Sequence, residues 1–230
     1  MNTNWGCTIY AEMPIMPLNA VLFPGMPMPL FIFEDRYLRM VRECVEEEKP
    51  FGVSLIREGR EVGGPAVPWD IGTAATIIRA LELPEGGLHI LTLGVERFRL
   101  DYLRQEEPVL IGDVELLPDP EDEAPAELHD ELRELFGAHL RLLLELLGRP
   151  EVELNMPETA TRLSYMVAAH LTCPPVTRQR LLEMESVAQR LFAEKQLLHK
   201  ESEEYRLLLA ARRKYDETGG RVDPEVFSLN

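Results

Sequence analysis

A chain of 230 residues, 45% hydrophobic and 28% charged, has the composition of a soluble globular protein and the length for one large or two small cores. Its net charge of −16 is spread along the sequence, which excludes the cationic face that nucleic-acid phosphates or an anionic membrane surface require. No apolar run is long enough to cross a bilayer, and MNTNWGCTIYAEM lacks the basic start and apolar centre of a signal peptide.

The three cysteines (Cys7, Cys44, Cys173) are widely spaced and form no C-x-x-C, the pattern of free thiols in a reducing, cytoplasmic setting. Residues 15–37, IMPLNAVLFPGMPMPLFIFEDRY, are the least generic stretch. Pro14, Pro17, Pro24, Pro27 and Pro29 interleave with large apolar side chains. Proline lacks an N–H and fixes φ, so the expectation is an irregular extended segment pressed on a sheet, turning at Pro24 and Gly25. Residues 36–48 then read as an amphipathic helix with Tyr37, Met40, Val41, Cys44 and Val45 on its apolar side, stopped before Pro50.

Phe51, Val53 and Leu55 alternate as in a strand. Residues 58–70 read as a surface loop anchored by Trp69. Residues 72–100 carry the best β signal: Ala75, Ile77, Leu81 and Leu83 on one face, a Pro-Glu-Gly-Gly turn at 84–87, and a return strand in which Gly94 marks a bulge. Residues 109–117 form a further strand with Leu110, Val114 and Leu116 inward and Asp113 and Glu115 outward. The acidic, proline-rich break at 117–125 divides the chain into a β-rich domain at 1–118 and a helical domain at 119–230.

Beyond the break the period becomes helical. Leu128, Leu132, Phe136, Leu140 and Leu143 form one stripe, opened by Pro125 and closed by Gly148. A second helix covers about 157–171 and a short third about 176–184. The last opens on Ser186 and Gln189, a capping-box pattern, and runs to about Tyr215. Glu194, Lys195, Lys200, Glu201, Glu203 and Glu204 crowd its middle. That predicts a half-exposed or projecting helix able to pair with a partner.

PLNAVLFPGMPMPLFIFEDRY, FGVSLIREGREVG, IGTAATIIRALELPEGGLHILTLGVERFRL and LIGDVELLPD occur in an order that resembles the N-terminal substrate-recognition domain of Lon proteases. The resemblance covers roughly residues 13–119 and loosely the helices to about 215. It implies an α+β fold: a PUA-like small β-barrel or pseudobarrel with one helix, followed by a helical bundle ending in a long helix. It also implies a non-catalytic module binding unfolded or apolar polypeptide segments, with an ATP-dependent protease or another protein as partner. A homodimer is compatible with it. The expectation is a stand-alone protein of this kind, without the ATPase and protease domains.

The residues carry no catalytic motif, as expected of a non-enzyme. There is no G-x-x-x-x-G-K-[ST] loop, and none of the four lysines follows a glycine. The five histidines have no metal-ligand spacing, no G-x-S-x-G elbow occurs, and no cofactor or metal is expected. The candidate binding residues are Met13, Met16, Met26 and Met28, whose flexible side chains suit either a promiscuous groove or an irregular core. Phe31, Phe33 and Trp69 are candidates too, and would line a barrel pocket if the protein were instead a small-molecule sensor. Glu34, Arg36 and Tyr37 match the family's E-x-R-Y pattern. They form either a recognition site or a helix N-terminus with a local ion pair. A third reading is an adaptor docking through the last helix.

Overall fold

The structure is a computed structural model describing residues 9–84, 86–119, 124–150 and 155–217. Cys7, Glu85 and residues 120–123 of the acidic break lie outside them. In chain order the elements are β1 (Ile9–Leu18), β2 (Pro27–Ile32), α1 (Asp35–Glu46), β3 (Phe51–Gly59), β4 (Ala66–Pro68), β5 (Ile71–Glu82), β6 (Leu88–Gln105) and β7 (Leu110–Leu117), then α2 (Ala126–Leu146), α3 (Ala160–His170), α4 (Pro175–Glu183) and α5 (Val187–Glu217). The sheet runs β1-β7-β6-β5-β3-β4, and an additional parallel β1 to β3 pairing closes five of these strands into a ring, with β4 on its outer side. β2 lies beside β6 outside the ring.

The proline-rich stretch is more regular than expected, because each proline sits where one side of its strand needs no donor. β1 pairs with β7 as far as Ile15 and with β3 from Ile15 onward. Pro14 therefore has only β7 beside it, and Pro17 only β3. β2 pairs with β6 alone. The carbonyls of Met26 and Met28 point at β6, accepting from the Gly94 N–H (3.0 Å) and the Thr92 hydroxyl (2.9 Å). Pro27 and Pro29, of opposite parity, thus hold their missing donors on the outer edge.

Met13, Ile15, Phe98, Leu110 and Val114 are buried together and fill the ring. Phe98 has room because Gly52 and Gly72 have no Cβ; one built at Gly72 would lie 2.5 Å from its ring. α1 covers the β2, β6 and β3 side with Tyr37, Met40, Val41 and Cys44, while Val45, expected inward, is exposed. The expected loop at 58–70 contains β4, paired to β3. The bulge predicted at Gly94 is present, since Ala74 faces Glu96 and Ala75 faces Gly94. A second irregularity, between Ile77 and Arg79, went unforeseen; past it Leu81 points to solvent rather than inward.

The four C-terminal helices follow their stripes and caps. Thr159 caps α3 by accepting from the Arg162 N–H (3.4 Å), and Gly148, at φ +63°, lies just past α2. Two charged residues in the middle of α5 depart from expectation: Glu194 is fully buried and Glu201 nearly so, and Arg190, near the helix start, and Ser202 are buried with them. They are matched by polar groups on the facing helices. Arg190 Nε donates to Ser164 Oγ (2.6 Å), which donates to Glu194 (2.8 Å); Ser202 Oγ lies 3.0 Å from His139 Nδ1; Glu201 accepts from the Thr172 N–H (2.9 Å). Burial holds His139 down to about 4 and pushes Glu194 well above the usual carboxylate range.

One core crosses the expected 118/119 boundary. Val21, Phe23 and Leu55 pack with Leu132, Phe136, Leu163, Tyr165, Val167 and Leu191. Polar bonds cross it as well: Arg97 Nη1 donates to the Leu182 and Met184 carbonyls (both 3.0 Å), and Gln179 Nε2 to the Ile71 carbonyl (3.0 Å). We propose that the two halves unfold as one unit. Phe23→Ala is expected to cost about 3–5 kcal/mol, the usual loss for a buried phenylalanine, and to lower helix and sheet signals in one coincident thermal transition. Two separated transitions, by far-UV circular dichroism and tryptophan fluorescence, would contradict this.

His139 gives a second expectation. Its folded pKa lies below the unfolded value near 6.5, so the unfolded state takes up a proton first as pH falls, and stability is lost between about 6.5 and 4. His139→Gln should remove that part of the decline, seen in denaturant midpoints across this window.

Candidate polypeptide-binding surface

The methionine candidates separate cleanly. Met13, Met16 and Met28 are core residues, buried in the ring and beneath α1. Their strand positions turn them inward, and the irregular interior they fill is the alternative that methionine allowed. Met26 alone reaches a surface cavity, a groove of about 770 Å³ where the sheet meets the helices.

One wall of the groove is the turn Pro24, Gly25, Met26 and Pro27. The floor is the β6 bulge at Leu93, Gly94 and Val95, and the opposite wall is α3, with Arg162, Tyr165, Met166, Ala169 and His170. The turn is clamped to the bulge by Gly25 N–H to the Gly94 carbonyl (2.8 Å) and Gly94 N–H to the Met26 carbonyl (3.0 Å). A Cβ at Gly94 would sit 2.2 Å from the Phe23 carbonyl oxygen, so only glycine permits this approach.

Charge enters the groove through Arg162 of the α3 wall and through Asp119, which accepts from the Tyr165 hydroxyl and lies 3.8 Å from Arg97 Nε. Burial and the neighbouring Asp119 raise the Glu96 carboxyl. Behind the wall, the Arg190 guanidinium lies 4.3 Å from the centre of the Tyr165 ring, and burial raises that phenol beyond its ordinary range. Tyr165 is thereby fixed at both its ring and its hydroxyl, and the groove has a rigid back wall. Nothing in the α3 sequence singled this wall out. Its residues are ordinary helix formers whose role comes only from facing the turn.

The outer face of the sheet continues from the groove. Pro27, Pro29 and Phe31 of β2 lie opposite Leu93, Leu91 and His89 of β6, and Leu81 of β5 lies opposite His89 on its other side. Phe31 packs on His89 (5.1 Å between centroids) and on Phe33 (5.7 Å). Phe31 is 50%, Phe33 52%, Leu81 53% and Ile78 55% exposed, an apolar surface that no described element covers.

None of the remaining candidates lines this groove. Trp69 lies partly buried against the helical core, its N–H bonded to the Leu55 carbonyl (2.8 Å), and so shares no pocket with Phe31 and Phe33. Glu34 precedes α1 and pairs with Arg36 (2.9 Å), whose guanidinium lies 4.6 Å over the Tyr37 ring. The Gly63 N–H also donates to Glu34 (3.4 Å), tying the start of α1 to the loop between β3 and β4.

The family model of the ATP-dependent protease La (LON) substrate-binding domain matches residues 12–200. The chain belongs to that family. It is 29% identical over 225 residues to the Lon protease of Porphyromonas gingivalis, covering 94% of this chain and 26% of that protein. It is 29% identical over 203 residues to the Lon protease of Anaeromyxobacter dehalogenans, covering 85% and 24%. The chain thus spans about a quarter of the length of these relatives. The crystal structure of a Lon N-terminal domain protein from Xanthomonas campestris matches with a TM-score of 0.62 and 30% identity, over 83% of this chain and 98% of that one. The N-terminal domain of Mycobacterium avium complex Lon protease, at 18% identity and a TM-score of 0.58, covers 82% and 98% and shares the fold. The residues matched by the family model include most of β1, the groove turn and β2. Among the described residues, no helix is long and apolar enough to cross a membrane.

Proposed function

We propose that this protein is a non-catalytic polypeptide-recognition module whose primary site is the groove between the Pro24 to Pro27 turn and α3. The observation that carries the reading is the composition of that groove. Met26, Met166, Leu93, Val95, Pro24 and Pro27 make its walls apolar, and two of them are unbranched, polarizable methionines that adapt to different side chains. An apolar segment entering it leaves water on several sides, and the outer face from Leu93 to Phe31 extends the contact beyond the groove.

Family membership supports polypeptide as the ligand class, and an ATP-dependent protease of the Lon kind as the machine that acts on what is bound. The net charge of −16 supports neither nucleic acid nor an anionic membrane as an alternative. A small-molecule site inside the ring has no support, since Met13, Ile15, Phe98 and Val114 occupy that space.

A labelled, reduced and carboxymethylated polypeptide titrated by fluorescence anisotropy tests the reading. Binding is expected at tens of micromolar, on the order of 6 kcal/mol. Met26→Asp and Met166→Asp should each weaken it about tenfold or more by placing a charge on an apolar wall. No binding at about 100 µM, near 5.5 kcal/mol, overturns the proposal.

A further inference from the structure

Two of the open edges among the described strands, those of β2 and β5, are treated differently. The outer edge of β2 carries Pro27 and Pro29, whose missing N–H groups deny a ladder to any incoming strand. The other is the far side of β5. β3 pairs with β5 only at Thr73, Ala74 and Ala75, so residues 76–82 have β6 on one side and no described strand on the other. No proline interrupts this run, Thr-Ile-Ile-Arg-Ala-Leu-Glu.

The direction of its backbone groups follows from the ladder. The Met28 carbonyl faces β6, so its partner Thr92, and with it Ile90 and Leu88, direct their backbone groups toward β2. Leu91 and His89 direct theirs toward β5, where their partners are Arg79 and Leu81. In an antiparallel pair N–H and C=O of one residue point the same way and alternate along the strand. Ala80 and Glu82 therefore present theirs to the open edge. A row of alternating donors and acceptors at about 3.3 Å per residue is matched by another extended polypeptide backbone.

We propose that the open edge of β5 at residues 77–82 binds an extended polypeptide segment as an added strand, a mode of capture that rests on the recognition reading above and specifies it. A side chain of that strand beside Leu81 prolongs the apolar row Phe31, His89, Leu81, while a carboxylate beside Arg79 meets opposite charge. Backbone bonding supplies affinity without demanding one sequence, and the exposed row selects apolar residues at every second position.

Two measurements test this. The probe is a seven-residue peptide alternating threonine with phenylalanine, glutamate and valine, prepared unmodified and with N-methyl groups on either alternate set of amides. One set removes the donors facing β5 and the other removes donors facing solvent. Two lost hydrogen bonds, to the Ala80 and Glu82 carbonyls, at about 0.5–1.5 kcal/mol each predict at least about a fivefold weakening for one set and less than about twofold for the other. In the protein, Ala80→Pro copies on β5 what Pro27 and Pro29 do on β2, and Leu81→Asp breaks the apolar row. Each should weaken the peptide about tenfold while leaving far-UV circular dichroism unchanged.

Equal effects of the two N-methyl sets, or an Ala80→Pro variant that is folded and binds normally, overturn the proposal. If the unfolded polypeptide still binds and is lost with Met26→Asp, the groove reading survives that failure. If nothing binds, both fall. Should Ala80→Pro convert a dimer to a monomer in sedimentation without changing peptide binding, the edge belongs to a second copy and the proposal is equally overturned.

Discussion

The architecture depends on the contact between Gly94 and the turn after Phe23. Two backbone hydrogen bonds join the turn to the β6 bulge, and the Phe23 carbonyl lies where any side chain at position 94 would be. With the turn held there, consecutive residues serve different cores. Leu22 enters the cluster beneath α1, while Val21 and Phe23 enter the helical one. The Thr73 hydroxyl, donating to the Leu22 carbonyl at 2.6 Å, secures the same segment from the other side. The groove follows from this contact, because its near wall is the turn and its floor is the bulge.

The helical half is joined to the sheet by buried polar groups as much as by apolar ones. Arg97, from the sheet, and Arg190, from α5, both donate to the Met184 carbonyl at the end of α4, where a helix leaves acceptors unsatisfied. Arg178 reaches the Val21 and Ala169 carbonyls at 3.5 and 3.4 Å. Buried ions of this sort add little net stability and are costly to leave without partners.

Much of this was legible in the residues. The helices, their caps, the bulge at Gly94 and the family signature could be read because each rests on local chemistry: a stripe, a capping side chain, a residue without a Cβ. What could not be read depended on partners far along the chain. Proline was read as incompatible with regular strands, but Pro14 and Pro17 are tolerated because β1 exchanges one neighbour for another between them. The charged middle of α5 looked solvated, yet Glu194 meets Ser164, a serine that nothing local marks as its partner. Among the four methionines, inward and outward positions were set by strand register and by the turn, and composition carries no information on either.

The closed ring also bears on how the chain is made. β1 is synthesised first, but its second half gains a neighbour only when β3 arrives, and its first half only when β7 does, as the pairing of Tyr10 with Val114 requires. For about a hundred residues of ribosomal elongation the nascent chain therefore carries an apolar strand with open sides, the kind of segment that adheres to its neighbours. Pro14 and Pro17, harmless in the finished ring, interrupt that strand while it waits. The same residues that made the stretch look irregular would guard it before its partners exist.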